Sequence, residues 1–349
     1  LLKEFPGVVA LNRVTLSVKR GTVHALVGEN GAGKSTLVKC VSGVHQPESG
    51  SMWLEAAPHI PLSPREAISS GVRVIYQEFN LVPTLTVAEN VLFERLPNTA
   101  GLVNRRSMNK EAERLLARVG LEIPVGLPVE RLGIAQKQLI EIAKALSTDS
   151  RLIVMDEPTA TLTGREIEKL FHIIEELKKE GRTVIYISHR LGEIFEIADS
   201  VTVMRNGSVV ATEQVENSSS DHLIRLMVGR DVSEEYPFRE KLGPGEVVLD
   251  VRGLTYDPKL PGQSFQLKKS EILGIAGLVG SGRTELIRCL YGLDSAFRGQ
   301  VFVLGKKLGR ISPARTVSAG LGLLTENRKE EGLMLTMSCA ANLSIASMA

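Results

Sequence analysis

Cysteine is scarce. The 349 residues hold three, Cys40, Cys289 and Cys339, with no C-x-x-C pair. That leaves no disulfide framework to read, and a reducing cytosol is the natural compartment. Charge of one sign is lacking too. A net charge of +2 falls short of the clustered basic footprint of a nucleic-acid-binding domain, so no nucleic-acid partner is expected. No apolar run approaches the roughly 18–20 residues that span a bilayer, and no secretory signal opens the chain. The sequence starts at Leu1 rather than Met and stops at Ala349 without a terminal signal, so both ends read as cut. What is present, 43% hydrophobic and 23% charged residues, is the balance of a soluble globular protein with length for two domains.

Two segments carry the pattern of phosphate-binding loops. The first, Gly28-Glu29-Asn30-Gly31-Ala32-Gly33-Lys34-Ser35, matches G-x-x-x-x-G-K-[ST] throughout and continues into Thr36. Glycines let successive backbone N–H groups turn inward and cradle phosphate oxygens at a helix N-terminus. Lys34 adds a compact charge for the β- and γ-phosphates, and Ser35 a hydroxyl for Mg²⁺. The second segment, Gly277 to Thr284, keeps the glycines and the hydroxyl but has Arg283 in place of lysine.

The loops lie 249 positions apart (277 − 28), and the register holds beyond them: Cys40 falls on Cys289, Gly43 on Gly292, Gly50 on Gly299, Pro64 on Pro313 and Gly71 on Gly320. Such agreement predicts a duplicated domain. The second copy then reaches only the equivalent of Ala100.

Within the first copy, Thr22–Val27 reads as a strand feeding the glycine loop and Ser35–Val41 as the helix after it. Val72–Tyr76, Leu152–Met155, Thr183–Ile187 and Val201–Met204 read as further strands, the last followed by a turn at Asn206-Gly207. Thr86-x-x-Glu89 and Thr163-x-x-Glu166 are capping boxes opening helices, and Ser107–Val119 reads as a helix charged on one side. The second of these boxes starts a helix with the apolar stripe Ile167, Leu170, Phe171, Ile174 and Leu177, ended at Gly181. Strands alternating with helices predict an α/β fold with a mainly parallel sheet. Asp156-Glu157 ends one strand, as an acidic Mg²⁺ site and a general base should. An acidic pair in that place also serves as plain solvated surface. Gln77 and His189, at the ends of two other strands, reach the same sheet edge. Taken alone, a neutral amide or a single histidine there is as compatible with a structural role.

The segments Phe5-Pro6-Gly7-Val8-Val9-Ala10-Leu11, ALVGENGAGKSTL, VIYQEFNLVPTLTVAEN, LGIAQKQLIEIAKAL, IVMDEPTATLT and VIYISHR together resemble the ATP-binding-cassette ATPases. Two loops in one chain, Met227 to Arg230 (MVGR) and GLVGSGRTEL narrow the resemblance to the bacterial monosaccharide-importer type, which handles ribose, galactose, arabinose or xylose. It covers essentially the whole chain. It implies a P-loop NTPase cassette, with a mainly parallel sheet flanked by helices, an antiparallel β part and a helical subdomain, that is duplicated. The expected division is a first cassette at 1–230 with its helical subdomain at about 80–147, a linker at 231–246, and the N-terminal part of a degenerate second cassette at 247–349.

By position, the resemblance implies that Phe5 stacks on adenine, a place where a buried core aromatic would also fit. Gly28, Glu29, Asn30, Gly31, Ala32, Gly33, Lys34, Ser35 and Thr36 then bind ATP, and Ser35, Gln77 and Asp156 hold Mg²⁺. Glu157, His189 and Gln77 fill the catalytic positions. The implied partners are a transmembrane sugar permease and, indirectly, a periplasmic sugar-binding protein. The implied place is peripheral, on the cytoplasmic face of the inner membrane. The two cassettes of the complete chain would pair, each completing the other's nucleotide site.

Three departures fall on one of those composite sites. The family's L-S-G-G-Q signature stands here as Leu132-Gly133-Ile134-Ala135-Gln136, without its serine. Arg283 replaces lysine, a planar fork in place of a point charge. Glu326 stands where the 249-residue offset expects glutamine. One site built for turnover and one degenerate site are therefore expected. The good site's own signature would lie near position 381, so the fragment should turn ATP over poorly. Glu234 to Pro237 (EEYP) and MVGR look most like the ribose members. The competing reading is a soluble two-cassette ATPase acting on ribosomes. That group usually joins its cassettes by a long basic helix, whereas Ser218 to Glu246 is short and contains Asp231, Glu234 and Glu235.

Overall fold

The computed structural model describes residues 1–345 apart from 78, 100–101, 161, 230–244, 278–279, 297 and 326–330. Glu326, Arg230, the segment Glu234 to Pro237, the dipeptide Leu278-Val279 and most of the expected linker thus lie outside the described residues. The chain divides into two compact units, Leu1–Pro237 and Phe238–Ala349.

The first unit opens with strands β1 (Lys3–Phe5), β2 (Val8–Leu11) and β3 (Val23–Val27), helix α1 (Lys34–Val41), strands β4 (Trp53–Leu54) and β5 (Ala57–Pro58), helix α2 (Pro64–Ser69) and strand β6 (Val72–Ile75). Helix α3 (Val87–Val91), the small hairpin β7 (Asn98–Thr99) and β8 (Leu102–Val103), and helices α4 (Arg105–Arg118) and α5 (Ile134–Leu146) follow. It closes with β9 (Leu152–Asp156), α6 (Gly164–Lys179), β10 (Thr183–Ile187), α7 (Leu191–Ile197), β11 (Ser200–Arg205), β12 (Ser208–Gln214) and α8 (Ser220–Val228).

One six-stranded sheet organises this unit, in the order β12-β11-β3-β10-β9-β6, parallel except for the β11–β12 hairpin. Its inner strands are buried on both faces, as a parallel sheet requires. Val23, Ala25 and Val27 of β3 face the core shared with α3 to α6, while Leu26 faces the core shared with α1 and α2. The alternation repeats on β10, where Val184 and Tyr186 face one core and Ile185 and Ile187 the other. Helix α6 buries Leu170, Phe171, Ile173, Ile174 and Leu177, four of them from the stripe seen in the sequence. Helix α4 starts at Arg105, two residues before the expected Ser107, because Asn104 caps it by accepting from the Ser107 amide. Helix α8 packs on β11, with Leu223 in the first unit's core.

The second unit contains β13 (Val247–Thr255), β14 (Gln263–Lys268), α9 (Arg283–Tyr291), β15 (Arg298–Val303), β16 (Lys306–Lys307), α10 (Pro313–Ser318) and α11 (Cys339–Ser344). Its sheet runs β14-β13-β15-β16, antiparallel throughout, over a small core of Val251, Leu254, Leu286, Leu290 and Val301. Several elements repeat the first unit at the 249-residue offset: α2 at Pro64–Ser69 and α10 at Pro313–Ser318 share both bounds. The left-handed glycines repeat as well, with φ of 83° and 78° at Gly31 and Gly280, 101° and 84° at Gly33 and Gly282, and 91° and 92° at Gly71 and Gly320. Residues 272–276, which the offset places on β3, form no strand, and Ile272 among them is exposed. Among the described residues no helix is long and apolar enough to cross a membrane.

Candidate functional site

Parallel pairing sets the site. Ile187 of β10 lies beside Leu26 of β3 on one side and Asp156 of β9 on the other, and Met155 lies beside Ile75 of β6. Four strands therefore end at one level, and the residues that follow them emerge together: Gly28 after β3, Ser188-His189 after β10, Glu157 after β9 and Gln77 after β6. The carboxyl edge of an open parallel sheet is the usual seat of ligands in α/β proteins.

The glycine loop is stapled down from two directions. Gly207, in the turn between β11 and β12, donates its N–H to the Ala32 carbonyl at 3.0 Å. Gly28, at φ 154°, packs so closely on the Met204 carbonyl of β11 that a side chain would collide with it. Gly33, left-handed, caps α1 and lies where a Cβ would meet the Ala10 carbonyl at 2.6 Å. Lys34 folds back into the loop, its Nζ donating to the Gly28 and Glu29 carbonyls at 2.7 and 3.0 Å. Burial lowers its pKa, opposed by the charges of Glu157 and Asp156.

Asp156 is buried, and that burial together with Glu157 pushes its carboxyl upward, while Lys34, Lys39 and a hydrogen bond from Ser35 pull it back. Ser35, at the start of α1, and Asp156, at the end of β9, thus lie near enough for the hydroxyl to act on the carboxylate. Among the described residues no cluster of three His, Cys, Asp or Glu side chains could hold a metal unaided. A hard cation that keeps waters and takes phosphate oxygens fits this sparse oxygen set, which is the Mg²⁺ pattern. Glu157 is the meeting point of the catalytic candidates. Gln77 Nε2 donates to its Oε2 at 3.0 Å, and His189 Nδ1 lies 3.4 Å from its Oε1. Glu157 itself sits in the left-handed region at φ 49°.

The remaining sequence candidates fall in separate places. Phe5 lies on the β1–β2 hairpin, edge-on to His45 at 5.2 Å with Lys3 over its ring. Gly133 is the N-cap of α5, where its N–H donates to the Gln136 side chain at 3.1 Å. Arg283 opens α9 in the second unit. Sequence reasoning missed a clamp behind Gln77: Glu141 on α5 accepts from the Asn80 amide at 2.6 Å, and Lys144 donates to the Asn80 carbonyl at 2.9 Å. It also missed Glu193, a buried carboxylate behind His189. Both acids sit among apolar neighbours within helices, and only their position three-dimensionally opposite a loop distinguishes them.

The ABC transporter family profile matches residues 11–160 and 260–344. Ribose import ATP-binding protein RbsA 3 of Rubrobacter xylanophilus is 49% identical over 346 residues, covering 99% of this chain and 70% of that protein. Ribose import ATP-binding protein RbsA 1 of Streptomyces avermitilis is 46% identical, covering 99% of this chain and 66% of that protein. An ATP-binding cassette of an ABC transporter solved in its ADP conformation aligns with a TM-score of 0.56 at 28% identity, over 66% of this chain and 96% of that one. A nucleotide-free cassette aligns equally well, with a TM-score of 0.56 at 27% identity over 68% and 96% of the two chains. With a nucleotide loop, an acidic strand end and a histidine strand end gathered on a cassette-type sheet, the chain belongs to the ABC transporter family.

Proposed function

We propose that this chain is the ATP-hydrolysing part of a monosaccharide importer, with ribose the first candidate sugar. Convergence of Lys34, Ser35, Gln77, Asp156, Glu157 and His189 on one edge of the first unit's sheet carries the reading. In it, Gly28 to Thr36 cradle the phosphates, Lys34 neutralises them, and Phe5 packs on the adenine. Ser35, Gln77 and Asp156 hold Mg²⁺, which when bound offsets charge on the β- and γ-phosphates. Glu157 takes the proton of the attacking water, and His189, paired with Glu157 at 3.4 Å, contacts the γ-phosphate and fixes the base. The second unit supplies the degenerate loop with Arg283, and the two copies pair in the complete protein. The permease, a periplasmic sugar-binding protein and the cytoplasmic face of the inner membrane are the implied surroundings.

Support for the sugar comes from the EEYP and MVGR segments and from the names of relatives. Two of the relatives above are named for ribose import, and one from Burkholderia cenocepacia has ribose, galactose and methyl galactoside in its name. Nothing favours the ribosome alternative. The test is Glu157→Gln in the natural protein: MgATP binding retained, hydrolysis reduced about 100-fold or more, and uptake of labelled ribose lost in cells. Unchanged hydrolysis would remove Glu157 as base. Normal ribose uptake alongside lost galactose or xylose uptake would move the substrate to that sugar. Co-sedimentation with ribosomes and no effect on any uptake would favour the alternative.

A further inference from the structure

Glu157 holds a backbone conformation that non-glycine residues rarely adopt, at φ 49°. Such a conformation persists where the surroundings over-determine it. Part of the restraint is visible at once, since the Glu157 amide donates to the Ile187 carbonyl at 2.9 Å and ties the base to the end of β10. The rest converges on a residue that touches neither nucleotide loop nor catalytic atoms.

Glu193 lies in the first turn of α7 and is 7% exposed. Its Oε2 accepts three hydroxyl hydrogen bonds: from Thr159 Oγ1 at 2.9 Å, Tyr186 Oη at 2.9 Å and Ser188 Oγ at 2.7 Å. Its Oε1 lies 3.4 Å from Arg190. Thr159 follows Glu157 by two residues and Ser188 directly precedes His189, and both are 2% exposed. Ser188 Oγ also accepts from the Arg190 amide at 3.0 Å, which fixes the chain on the far side of His189. One carboxylate oxygen thus fastens the segment that carries Glu157 and the segment that carries His189 to the same point.

A buried carboxylate is an expensive way to fill space, and an apolar side chain would pack there at less desolvation cost. What the carboxylate adds is a single acceptor strong enough to draw three donors from three directions. We propose that Glu193 is a positioning residue for ATP hydrolysis, setting the separation of Glu157 and His189 from behind the site. The proposal rests on the ATPase reading above and names a group that acts through both of its catalytic candidates.

The test compares Glu193→Ala and Glu193→Gln in the natural-length protein. Glutamine keeps an oxygen for the three hydroxyls; alanine removes it. The alanine variant should lose about tenfold or more in kcat from misplacement of the base. Its MgATP dissociation constant should stay within about twofold of wild type, because the phosphate loop is untouched. The glutamine variant should recover most of the rate. Thr159→Val and Ser188→Ala, each removing one bond, should lower kcat, and the double variant should lose less than the product of the two if both act through Glu193. These two substitutions decide the matter if Glu193→Ala does not fold. Wild-type turnover by Glu193→Ala overturns the proposal. So does a rate loss matched by equal losses in nucleotide affinity and melting temperature, or a glutamine variant as slow as alanine. A wild-type protein that hydrolyses no ATP instead overturns the ATPase reading itself, and the positioning role with it.

Discussion

His24 sits in the middle of β3, 1% exposed, with its two ring nitrogens hydrogen-bonded to the hydroxyls of Ser200 and Thr202 at 2.7 and 2.8 Å. Burial lowers its pKa from 6.5 to about 4. Between those values the unfolded chain carries the proton and the folded chain does not, so stability falls as pH falls from 6.5 towards 4. The loss sums to about 3 kcal/mol across that window. Urea midpoints at pH 7.5, 5.5 and 4.5 check this: wild type should weaken steeply, and His24→Gln should lose that part of the slope. Parallel curves for the two proteins would contradict it. Nothing in the sequence marks His24, because a histidine within the apolar run Val23 to Val27 reads the same whether it is a core residue or not. As candidates, Lys34, Ser35, Asp156 and Glu157 stand out for the opposite reason. Phosphate and metal chemistry needs those residue types at fixed places relative to a strand end, so the pattern itself carries the meaning. Glu193 was not legible, since its partners come from Thr159, Tyr186 and Ser188, which no spacing rule connects.

At the scale of elements, the loop between β3 and α1 is held by its glycines in two different ways. Gly28 lies hard against the Met204 carbonyl, whereas a Cβ on Gly31 would meet nothing within 4 Å. Gly28→Ala should therefore destabilise the first unit by about 2 kcal/mol or more and weaken MgATP binding, while Gly31→Ala should cost only about 1 kcal/mol from its left-handed backbone. Chemical denaturation paired with nucleotide titration checks both, and equal effects would contradict the packing argument. Helix α3 offers a second check. Thr86 accepts from the Glu89 amide at 3.2 Å while Glu89 accepts back from the Thr86 amide at 2.9 Å, so Thr86→Ala should cost about 1 kcal/mol of stability. Elements with a cap or a long apolar run were readable: α3, α6, β9 and β10 stand where the sequence put them. The two-residue strands β4, β5, β7 and β8 were not, because a pair of residues has no period to detect. Helix α4 was placed two residues late because a charged first turn hides its Asn104 cap.

The whole molecule carries two loops of unequal chemistry in two units. The recurrence of α2 in α10, and of left-handed glycines at matching positions, supports reading the second unit as a copy of the first. Sequence register argues for that relation more strongly than the folding pattern does, since the second unit's residues 272–276 form no strand. If the two copies complete each other's sites, a chain ending at Ala349 should hydrolyse ATP on the order of tenfold slower than one extended through the second signature. Equal rates would sink the shared-site reading. The central claim, that the nucleotide is handled at the first loop, is tested most directly by titrating MgATP into wild type, Lys34→Ala and Arg283→Ala. Removing the charge proposed to meet the phosphates should weaken binding about 100-fold or more in Lys34→Ala and leave it intact in Arg283→Ala. Wild-type affinity in Lys34→Ala, with binding lost in Arg283→Ala, would contradict the account.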